Sequence, residues 1–197
     1  MIRAFVAVEL DAPLRQALAQ VQATLRRQLQ QAVGPDVRIQ WVKPASIHLT
    51  LKFLGDIPEE QAPDIQAALA RVAGGHSRFA VDVEGLGVFP DVRAPRVLWV
   101  GLTTHVDVLK RLAADVEAGL AALGFPSEAR SFNPHLTLAR VKERAHDVGQ
   151  ALSAGGVLTQ DARLGALQVA ALSLMKSDLQ PSGSVYTQLC HASLKEA

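Results

Sequence analysis

The sequence predicts an α+β fold of two lobes that share one strand–helix–strand plan. Short runs rich in β-branched and aromatic residues alternate with longer segments whose apolar residues recur every three to four positions, a pattern typical of strands alternating with amphipathic helices. The tetrapeptide His-Leu-Thr-Leu occurs twice, at residues 48–51 and 135–138, each time after a predicted helix. The repetition of both letters and element order indicates a duplicated unit.

The first unit starts with IRAFVAVEL (residues 2–10), whose short apolar run predicts a strand. Asp11 can cap a following helix in which apolar residues recur from Leu14 to Ala32. The segment IHLTLKFLG (47–55) predicts the next strand, ended by Gly55-Asp56. A second helix then runs to the Gly74-Gly75 pair, where it stops.

The second unit repeats this order. Residues 79–89 and 96–102 predict two strands, and Gly85 and Gly87 within the first indicate a bulge or a close approach of backbone. A helix over residues 106–123 leads to the strand PHLTLARV (134–141). The remaining chain predicts a weaker helix at 144–152, strands at Leu167–Lys176 and Val185–His191, and a hinge at 180–184.

Composition narrows the classes of function. The chain has 197 residues, 49% of them hydrophobic, a formal net charge of +1 and one cysteine, Cys190. One cysteine cannot form an internal disulfide or a thiolate zinc site, and a charge of +1 is too small for non-specific nucleic-acid binding. No apolar run reaches the roughly 18 residues of a membrane span. We expect a single bilobal domain over residues 1–197, monomeric and cytoplasmic, without a membrane or protein partner.

The repeated tetrapeptide displays one imidazole beside one hydroxyl. Side chains alternate faces along a strand, which predicts that His48, Thr50 and Lys52 share one face while Leu49, Leu51 and Phe53 share the other. In the second copy, His135 and Thr137 share a face in the same way. Arg140 alternates to the apolar side, although a bend at the end of its strand can re-aim it. Packing explains the leucines but not the polar face, which therefore indicates a functional site.

Two imidazoles are suited to acid–base chemistry on a phosphodiester. With an unperturbed pKa of about 6.5, one imidazole can take a proton from an attacking oxygen while the other gives a proton to the leaving oxygen. Threonine hydroxyls can donate to the non-bridging phosphoryl oxygens, and a nearby cation can offset the charge there. The scheme requires no metal and no cofactor. The sequence lacks the His-Glu-x-x-His, Gly-x-Ser-x-Gly and complete dinucleotide patterns of competing chemistries.

The two motifs, HLTLKFLG and PHLTLAR, resemble those of the 2H phosphoesterase superfamily, named for its two histidines. The segments RAFVAVEL, FPDVRAPRVLWVGL and LMKSDLQPSGSVYTQL extend the likeness along most of the chain. They look like the bacterial and archaeal RNA 2′,3′-cyclic phosphodiesterases, often labelled 2′-5′ RNA ligases. The resemblance implies two antiparallel sheets around a central cleft, with the motif strands side by side. It also implies metal-independent hydrolysis of an RNA-terminal 2′,3′-cyclic phosphate to a 2′-phosphate.

The resemblance also implies a role for each motif residue. His48 is the expected proton donor and His135 the expected proton acceptor, an assignment that the symmetry of the two motifs cannot make by itself. Thr50 and Thr137 fall on the phosphate-holding threonines of the family, and Arg140 falls on its arginine after the second motif.

Two further residues are candidates from their own chemistry. Lys52 is a candidate for contact with phosphate from the face of His48. Phe53 can stack on a base as RNA-binding aromatic residues do, but alternation favours packing in the core.

Other functions stay open at this stage. A module that binds RNA ends without turnover would use the same cleft. A phosphodiesterase acting on 2′-5′ oligonucleotides or small cyclic nucleotides would keep the same two histidines, and reversible 2′-5′ ligation is compatible with them. The expected partner in every case is a nucleic-acid end that carries a phosphodiester.

Overall fold

The structure, a computed structural model, describes residues 1–156, 158, 163–180 and 183–196. In chain order the described elements are β1 (Ile2–Glu9), α1 (Ala12–Val33), β2 (Ile39–Trp41), β3 (His48–Ile57), α2 (Ala62–Ala73), β4 (Phe79–Phe89), β5 (Val97–Leu102), α3 (Val106–Ala121), β6 (His135–Val141), α4 (Ala145–Ala154), β7 (Arg163–Val169), β8 (Ala171–Gln180) and β9 (Gly183–Ser193).

The strands form two antiparallel sheets. The first sheet has the order β3-β1-β8-β9, and the second has the order β2-β6-β5-β4-β7. Each motif strand pairs with the opening strand of its own unit, β3 with β1 and β6 with β5. Because β1-α1-β3 and β5-α3-β6 repeat one arrangement, the predicted duplicated α+β architecture is confirmed.

The helices cover the outer faces of the two sheets. Helices α2 and α3 contact the first sheet, whereas α1 and α4 pack together, with α1 against β7 of the second. As predicted, Asp11 caps α1, accepting the backbone N–H of Leu14 at 2.9 Å. On the face of α1 turned to the sheet, buried Gln22 donates to the carbonyls of Val42 and Leu138, at 2.7 and 2.9 Å. These bonds tie the helix to the second motif strand.

Two features of the second sheet confirm the interpretation of the glycine pair. Gly85 has a φ of 76° at the point where the β4–β5 register shifts, which is the conformation of a bulge. Gly87 lies under the indole of Trp99, where a Cβ atom would overlap the ring. The glycines therefore serve a bulge and a close approach of an aromatic ring to the backbone.

Two expectations about strands are corrected, and one short strand was not predicted. Residues Leu167–Lys176 are not one strand, because β7 ends at Val169 and β8 begins at Ala171 in the other sheet. Strand β3 does not end at Gly55-Asp56 but runs to Ile57. The three-residue strand β2 was not predicted, since it is too short to show alternation. None of the described helices is long and apolar enough to cross a membrane.

Candidate active site

Each motif strand contains a bulge at the same position of the repeat. In β3, Thr50 lies opposite Ala7 while Lys52 lies opposite the preceding residue, Val6, so Leu51 is the extra residue of the pair. The extra residue is unpaired and shifts the alternation of side chains beyond it. Residues before the bulge follow the simple alternation. Lys52 and Phe53, which lie between this bulge and a second one at Leu54, are on the opposite faces from those expected.

The second motif strand repeats the shift. In β6, Thr137 lies opposite Trp99 and Ala139 lies opposite Leu98, so Leu138 is the extra residue. Along the first six residues of each strand, half-buried, buried and exposed side chains occur in the same order. The sixth residue is exposed in both strands. The sixth residues are Phe53 and Arg140. The duplicated bulge therefore turns both of these side chains to the face of the histidines.

The bulge also removes Lys52 from the site, so its predicted orientation is wrong. Its side chain is 1% exposed, and its Nζ lies 2.6 Å from Oε2 of Glu117 on α3. The same ammonium group donates to the carbonyl of Pro126 at 2.8 Å. Lys52 is thus a buried structural cation on the helix side of the sheet, and it does not line the cleft.

Phe53 has the opposite outcome. Alternation predicted that it faces the core, whereas it is 60% exposed and lines the cleft, with its ring 6.2 Å from that of Phe5. Arg140 is exposed and lines the cleft as well. Arg140 has no salt bridge or side-chain hydrogen bond to any described residue, so its guanidinium is free to meet a ligand.

The two motifs come together in one cleft of about 380 Å³. His48 and Thr50 line it from β3, and His135 and Thr137 line it from β6. The sequence motifs, 87 residues apart, thus share one site. Several lining residues lie outside the motifs and come from the first sheet: Arg3, Phe5, Ser177, Leu179, Ser184 and Tyr186.

The two imidazoles are held in the same way. His48 Nδ1 lies 2.9 Å from the carbonyl oxygen of Ser46, and His135 Nδ1 lies 2.7 Å from that of Asn133. A carbonyl oxygen can only accept, so each Nδ1 carries the hydrogen and donates it. Each Nε2 is then the nitrogen that gains or loses a proton. The two histidines therefore have the same tautomer, which is set in each case by a hydrogen bond to the carbonyl of the residue two positions earlier.

Aromatic rings pack around both histidines. The His48 ring stacks on Phe5 at 4.7 Å with an interplanar angle of 29°, and Tyr186 meets it edge-on at 5.0 Å. His135 is met edge-on by Phe89 at 5.0 Å, and the ring of Trp99 lies 6.2 Å away. Trp99 is half-buried beside His135, although it is not among the residues that line the cleft.

The residues that lie opposite the histidines in the sheets differ. Glu9 of β1 is directly opposite His48, whereas Gly101 of β5 is directly opposite His135. The Glu9 carboxylate accepts hydrogen bonds from Ser173 Oγ at 3.2 Å and from Gln188 Nε2 at 2.8 Å, and Arg15 lies 3.9 Å away. Of the two residues directly opposite the histidines, only Glu9, opposite His48, carries a negative charge.

Burial lowers the pKa of His48 below the ordinary value of an imidazole. The hydrogen bond to Ser46 and the negative charge of Glu9 act against this by favouring the protonated ring. Because the net pKa lies below about 6.5, His48 is mostly neutral at pH 7 in the free protein.

Sequence reasoning missed several residues of the site, among them Arg3 and Glu9. Both lie on β1 at two-residue steps from Phe5, so the alternation of that strand was the signal that could have found them. Three other cations of the chain, Arg96, Arg130 and Lys176, do not line the cleft. Within the described residues, no three His, Cys, Asp or Glu side chains are grouped as a metal site would require.

A bilobal α+β fold with a histidine and a threonine from each lobe in one cleft defines a two-histidine phosphoesterase architecture. A protein-family model described as LigT-like phosphoesterase matches the chain over residues 8–99 and 100–186. The chain belongs to this family, which confirms the resemblance carried by the two motifs. The boundary between the matched segments falls within β5, at the start of the second strand–helix–strand unit.

Curated relatives cover nearly the whole chain. The RNA 2′,3′-cyclic phosphodiesterase of Methanothermobacter thermautotrophicus is 32% identical over 188 residues, which are 95% of this chain and 96% of the relative. A Thermus thermophilus protein of the same name is 34% identical and covers 98% of this chain and 91% of its own length.

Solved structures agree with this relationship. The chain superposes on a crystal structure of a Thermus thermophilus protein with a TM-score of 0.76 and 31% identity, over 99% of each chain. The Escherichia coli LigT structure complexed with 3′-AMP has a TM-score of 0.74 over 99% of each chain. At 23% identity, the latter likeness shows the fold alone.

Proposed function

We propose that the protein hydrolyses RNA-terminal 2′,3′-cyclic phosphate to a 2′-phosphate, with His48 as proton donor and His135 as proton acceptor. The observation that carries this proposal is the pairing of two imidazoles in one cleft, each with Nδ1 engaged by a carbonyl and Nε2 left as the titrating nitrogen. The name RNA 2′,3′-cyclic phosphodiesterase of relatives matching nearly the whole chain supports the substrate class.

The reaction balances with the two imidazoles alone. Water attacks phosphorus as its proton passes to Nε2 of His135, and a new P–O bond forms. The P–O3′ bond breaks, and O3′ takes a proton from Nε2 of protonated His48. The products are a 2′-phosphomonoester and a free 3′-hydroxyl. His48 ends neutral and His135 ends protonated, so exchange with solvent restores the starting state.

The phosphate is held by groups that do not exchange protons. Thr50 and Thr137 come from opposite walls of the cleft, and their hydroxyls donate to the two non-bridging oxygens, where negative charge grows in the transition state. Arg140, whose guanidinium has no partner among the described residues, supplies the cation. Phe53 offers an exposed ring to the adjacent base.

Because burial lowers the pKa of His48, the bound substrate has to favour the protonated form of this ring. A proton donor has to be protonated, yet burial favours neutral His48 in the free protein. An anionic phosphate beside the ring favours the charged form. Substrate binding is therefore expected to raise the pKa of His48 and to take up a proton.

The same proton transfers serve 2′-5′ ligation, in which an RNA hydroxyl replaces water as the nucleophile. A 5′-hydroxyl of a second RNA in the position of water would attack phosphorus and give a 2′-5′ linkage. His135 would take the proton of that hydroxyl, and His48 would again protonate O3′. Hydrolysis prevails where water outcompetes the hydroxyl, so ligation is expected only when two ends are held together at high concentration.

The direct test offers an RNA ending in 2′,3′-cyclic phosphate to the protein with a chelator present. The proposal predicts conversion to the 2′-phosphate in the wild-type protein and losses of about 10²- to 10⁴-fold in His48→Ala and in His135→Ala. His146→Ala is the matched control, because His146 lies on α4 outside the cleft.

Two results would overturn the proposal. A protein that retains the labelled RNA on a gel but returns it unchanged would be a binding module. A 3′-phosphate product would mean that the other ester bond breaks.

A further inference from the structure

The mouth of the cleft carries unusual exposed apolar side chains. Among the described residues, the exposed large hydrophobic side chains are those of Met1, Phe53 and Leu179, at 82%, 60% and 70%. Phe53 and Leu179 both line the catalytic cleft, whereas Met1 is the first residue of the chain. Solvent exposure of two such side chains around one opening is typical of a surface that binds something.

A cation lies in the same part of the cleft. Arg3 is exposed, lines the cleft and makes no ion pair or side-chain hydrogen bond with any described residue. Asp56 is opposite it in the β1–β3 pairing, but the two side chains do not form a salt bridge. An arginine left free beside apolar surface has the chemistry of a phosphate contact next to a base contact.

The position of Arg3 separates it from the reacting phosphate. Its neighbour Ala4 lies opposite Gly55, which is five residues beyond Thr50 along β3. At about 3.3 Å per residue, and with the strand shortened by its bulges, Gly55 is roughly 13–16 Å from Thr50. Phe53 lies between these two positions. Arg140 belongs to the second motif strand, whereas Arg3 lies further along the cleft, beyond Phe53.

We infer that this end of the cleft is a subsite for the RNA segment on the 5′ side of the reacting end. The terminal base stacks on Phe53, the next phosphate contacts Arg3, and the next base packs on Leu179. The inference rests on the proposed function, since it takes the phosphate at the histidines as its starting point. It makes an oligonucleotide, and not a mononucleotide, the preferred substrate.

The order of the contacts follows from the order of the strands. Phe53, Gly55 and Arg3 lie in succession away from the histidines along the β3–β1 pair, and Leu179 lies at the far end of β8. A single-stranded RNA placed along this path presents a base, a phosphate and a base in turn. The protein presents an apolar side chain, a cation and an apolar side chain in the same order. Aromatic stacking tolerates any base, so the subsite selects for length and not for sequence.

The test compares kcat/KM for a 2′,3′-cyclic mononucleotide with kcat/KM for a trinucleotide ending in the same group. The inference predicts a preference of about ten- to a hundred-fold for the trinucleotide at low salt, of the size that base contacts give. In Arg3→Gln this ratio falls towards one. The trinucleotide reaction also loses roughly 0.7 from its slope of log kcat/KM against log salt, the value for one phosphate contact on single strands.

Matched controls separate this effect from a general change of charge. Arg71→Gln removes an exposed cation on α2, away from the cleft, and is expected to keep the ratio and the salt slope. Leu179→Ser is expected to lower the ratio, whereas Phe53→Ala lowers kcat/KM for both substrates because both contain the terminal base.

The outcomes distinguish the inference from the proposed function. A wild-type ratio near one, or a ratio that Arg3→Gln leaves unchanged, would overturn the subsite while the activity stands. If neither substrate is turned over, the proposed function fails, and fluorescence anisotropy with a trinucleotide and a mononucleotide bearing 2′-phosphate decides the subsite. Equal affinities of these two products would then contradict it.

Discussion

The two halves of the cleft share their geometry and differ in their chemistry. Both motif strands place a histidine and a threonine towards the cleft, hold the imidazole Nδ1 by a carbonyl two residues earlier, and carry a bulge after the threonine. The half that contains His48 adds a carboxylate opposite the histidine and an exposed phenylalanine after the bulge. The half that contains His135 has Gly101 and Arg140 at those positions.

The shared geometry explains how two imidazoles can act on one phosphate. A pair of similar strands facing each other across a cleft presents two Nε2 atoms and two hydroxyls to a group between them. The differences explain how such a pair can divide a reaction. A donor and an acceptor need opposite protonation states, and only unequal surroundings can favour them. The repeated geometry therefore places the two imidazoles, and the residues that differ between the two halves favour different protonation states for them.

The largest expected effect comes from removing either imidazole. His48→Ala and His135→Ala are each expected to lower kcat/KM by about 10²- to 10⁴-fold, because each deletes one proton transfer. The pH profile of the wild-type protein should be bell-shaped. Each variant should lose one limb of the bell, and initial rates across the neutral range, on both sides of the imidazole pKa of about 6.5, are the measurement. Two variants that lose the same limb would show that the halves do not divide the reaction.

The next effect concerns the residue that the bulge turns away from the cleft. Glu117→Leu leaves the Lys52 ammonium buried without its carboxylate, which is expected to lower the free energy of unfolding by about 3–5 kcal/mol. The double variant Lys52→Met with Glu117→Leu should recover most of that loss, since an apolar pair replaces an ion pair. Urea unfolding measures both.

This second comparison contrasts Lys52 with Ala139, its apolar equivalent in β6. Exposed Glu143→Gln is the control, because Glu143 pairs only with exposed Arg38 among the described side chains. A folded Lys52→Met, Glu117→Leu protein that loses activity as His48→Ala does would contradict the structural role of Lys52.

The threonines provide a smaller test of symmetry. Thr50→Val and Thr137→Val keep the shape of the side chain and remove one hydroxyl donor to the phosphate. Hydrogen bonds to charged groups contribute about 1.5–3 kcal/mol, so each variant is expected to lose roughly ten- to a hundred-fold in kcat/KM. Equal losses would indicate that the two hydroxyls act alike. A loss in only one variant would restrict the symmetry to the histidines.

The smallest expected effect tests the charge that accompanies only one half. The Glu9 carboxylate raises the pKa of His48 against the lowering by burial, so Glu9→Gln should lower that pKa further. His135, which lies opposite Gly101 and not opposite a carboxylate, is the internal reference. NMR titration of the histidine ring signals measures both midpoints in one sample. An equal change at both histidines would mean that Glu9 does not distinguish the halves.

The sequence predicted the duplicated units and the motif residues because alternation and repetition are visible in its letters. The bulges at Leu51 and Leu138 are not visible, since an extra residue in a strand pair has no fixed residue type. For this reason Lys52 and Phe53 were assigned to the wrong faces. Arg140 reaches the cleft because a bulge shifts the alternation of β6, as the bulge in β3 does for Phe53. From the sequence alone, a bend at the end of the strand was the means considered.

The joint between β7 and β8 was hidden for another reason. Residues 163–180 contain no proline, and their one glycine, Gly165, lies within β7, so no turn residue marks the passage at Ala170 from one sheet to the other. The pairing of Glu9 with His48 could not be predicted either, because it depends on the register of β1 against β3.

The central claim is that His48 gives a proton to the leaving O3′ while His135 takes one from water. The most direct measurement replaces O3′ of the cyclic phosphate by sulfur and compares the two alanine variants. A thiolate, with a pKa of about 8.5 for its acid, leaves without being protonated. The account predicts that His48→Ala comes within about ten-fold of the wild-type rate on the sulfur substrate, while His135→Ala keeps its loss of about 10²- to 10⁴-fold. Recovery by His135→Ala in place of His48→Ala would contradict the assignment.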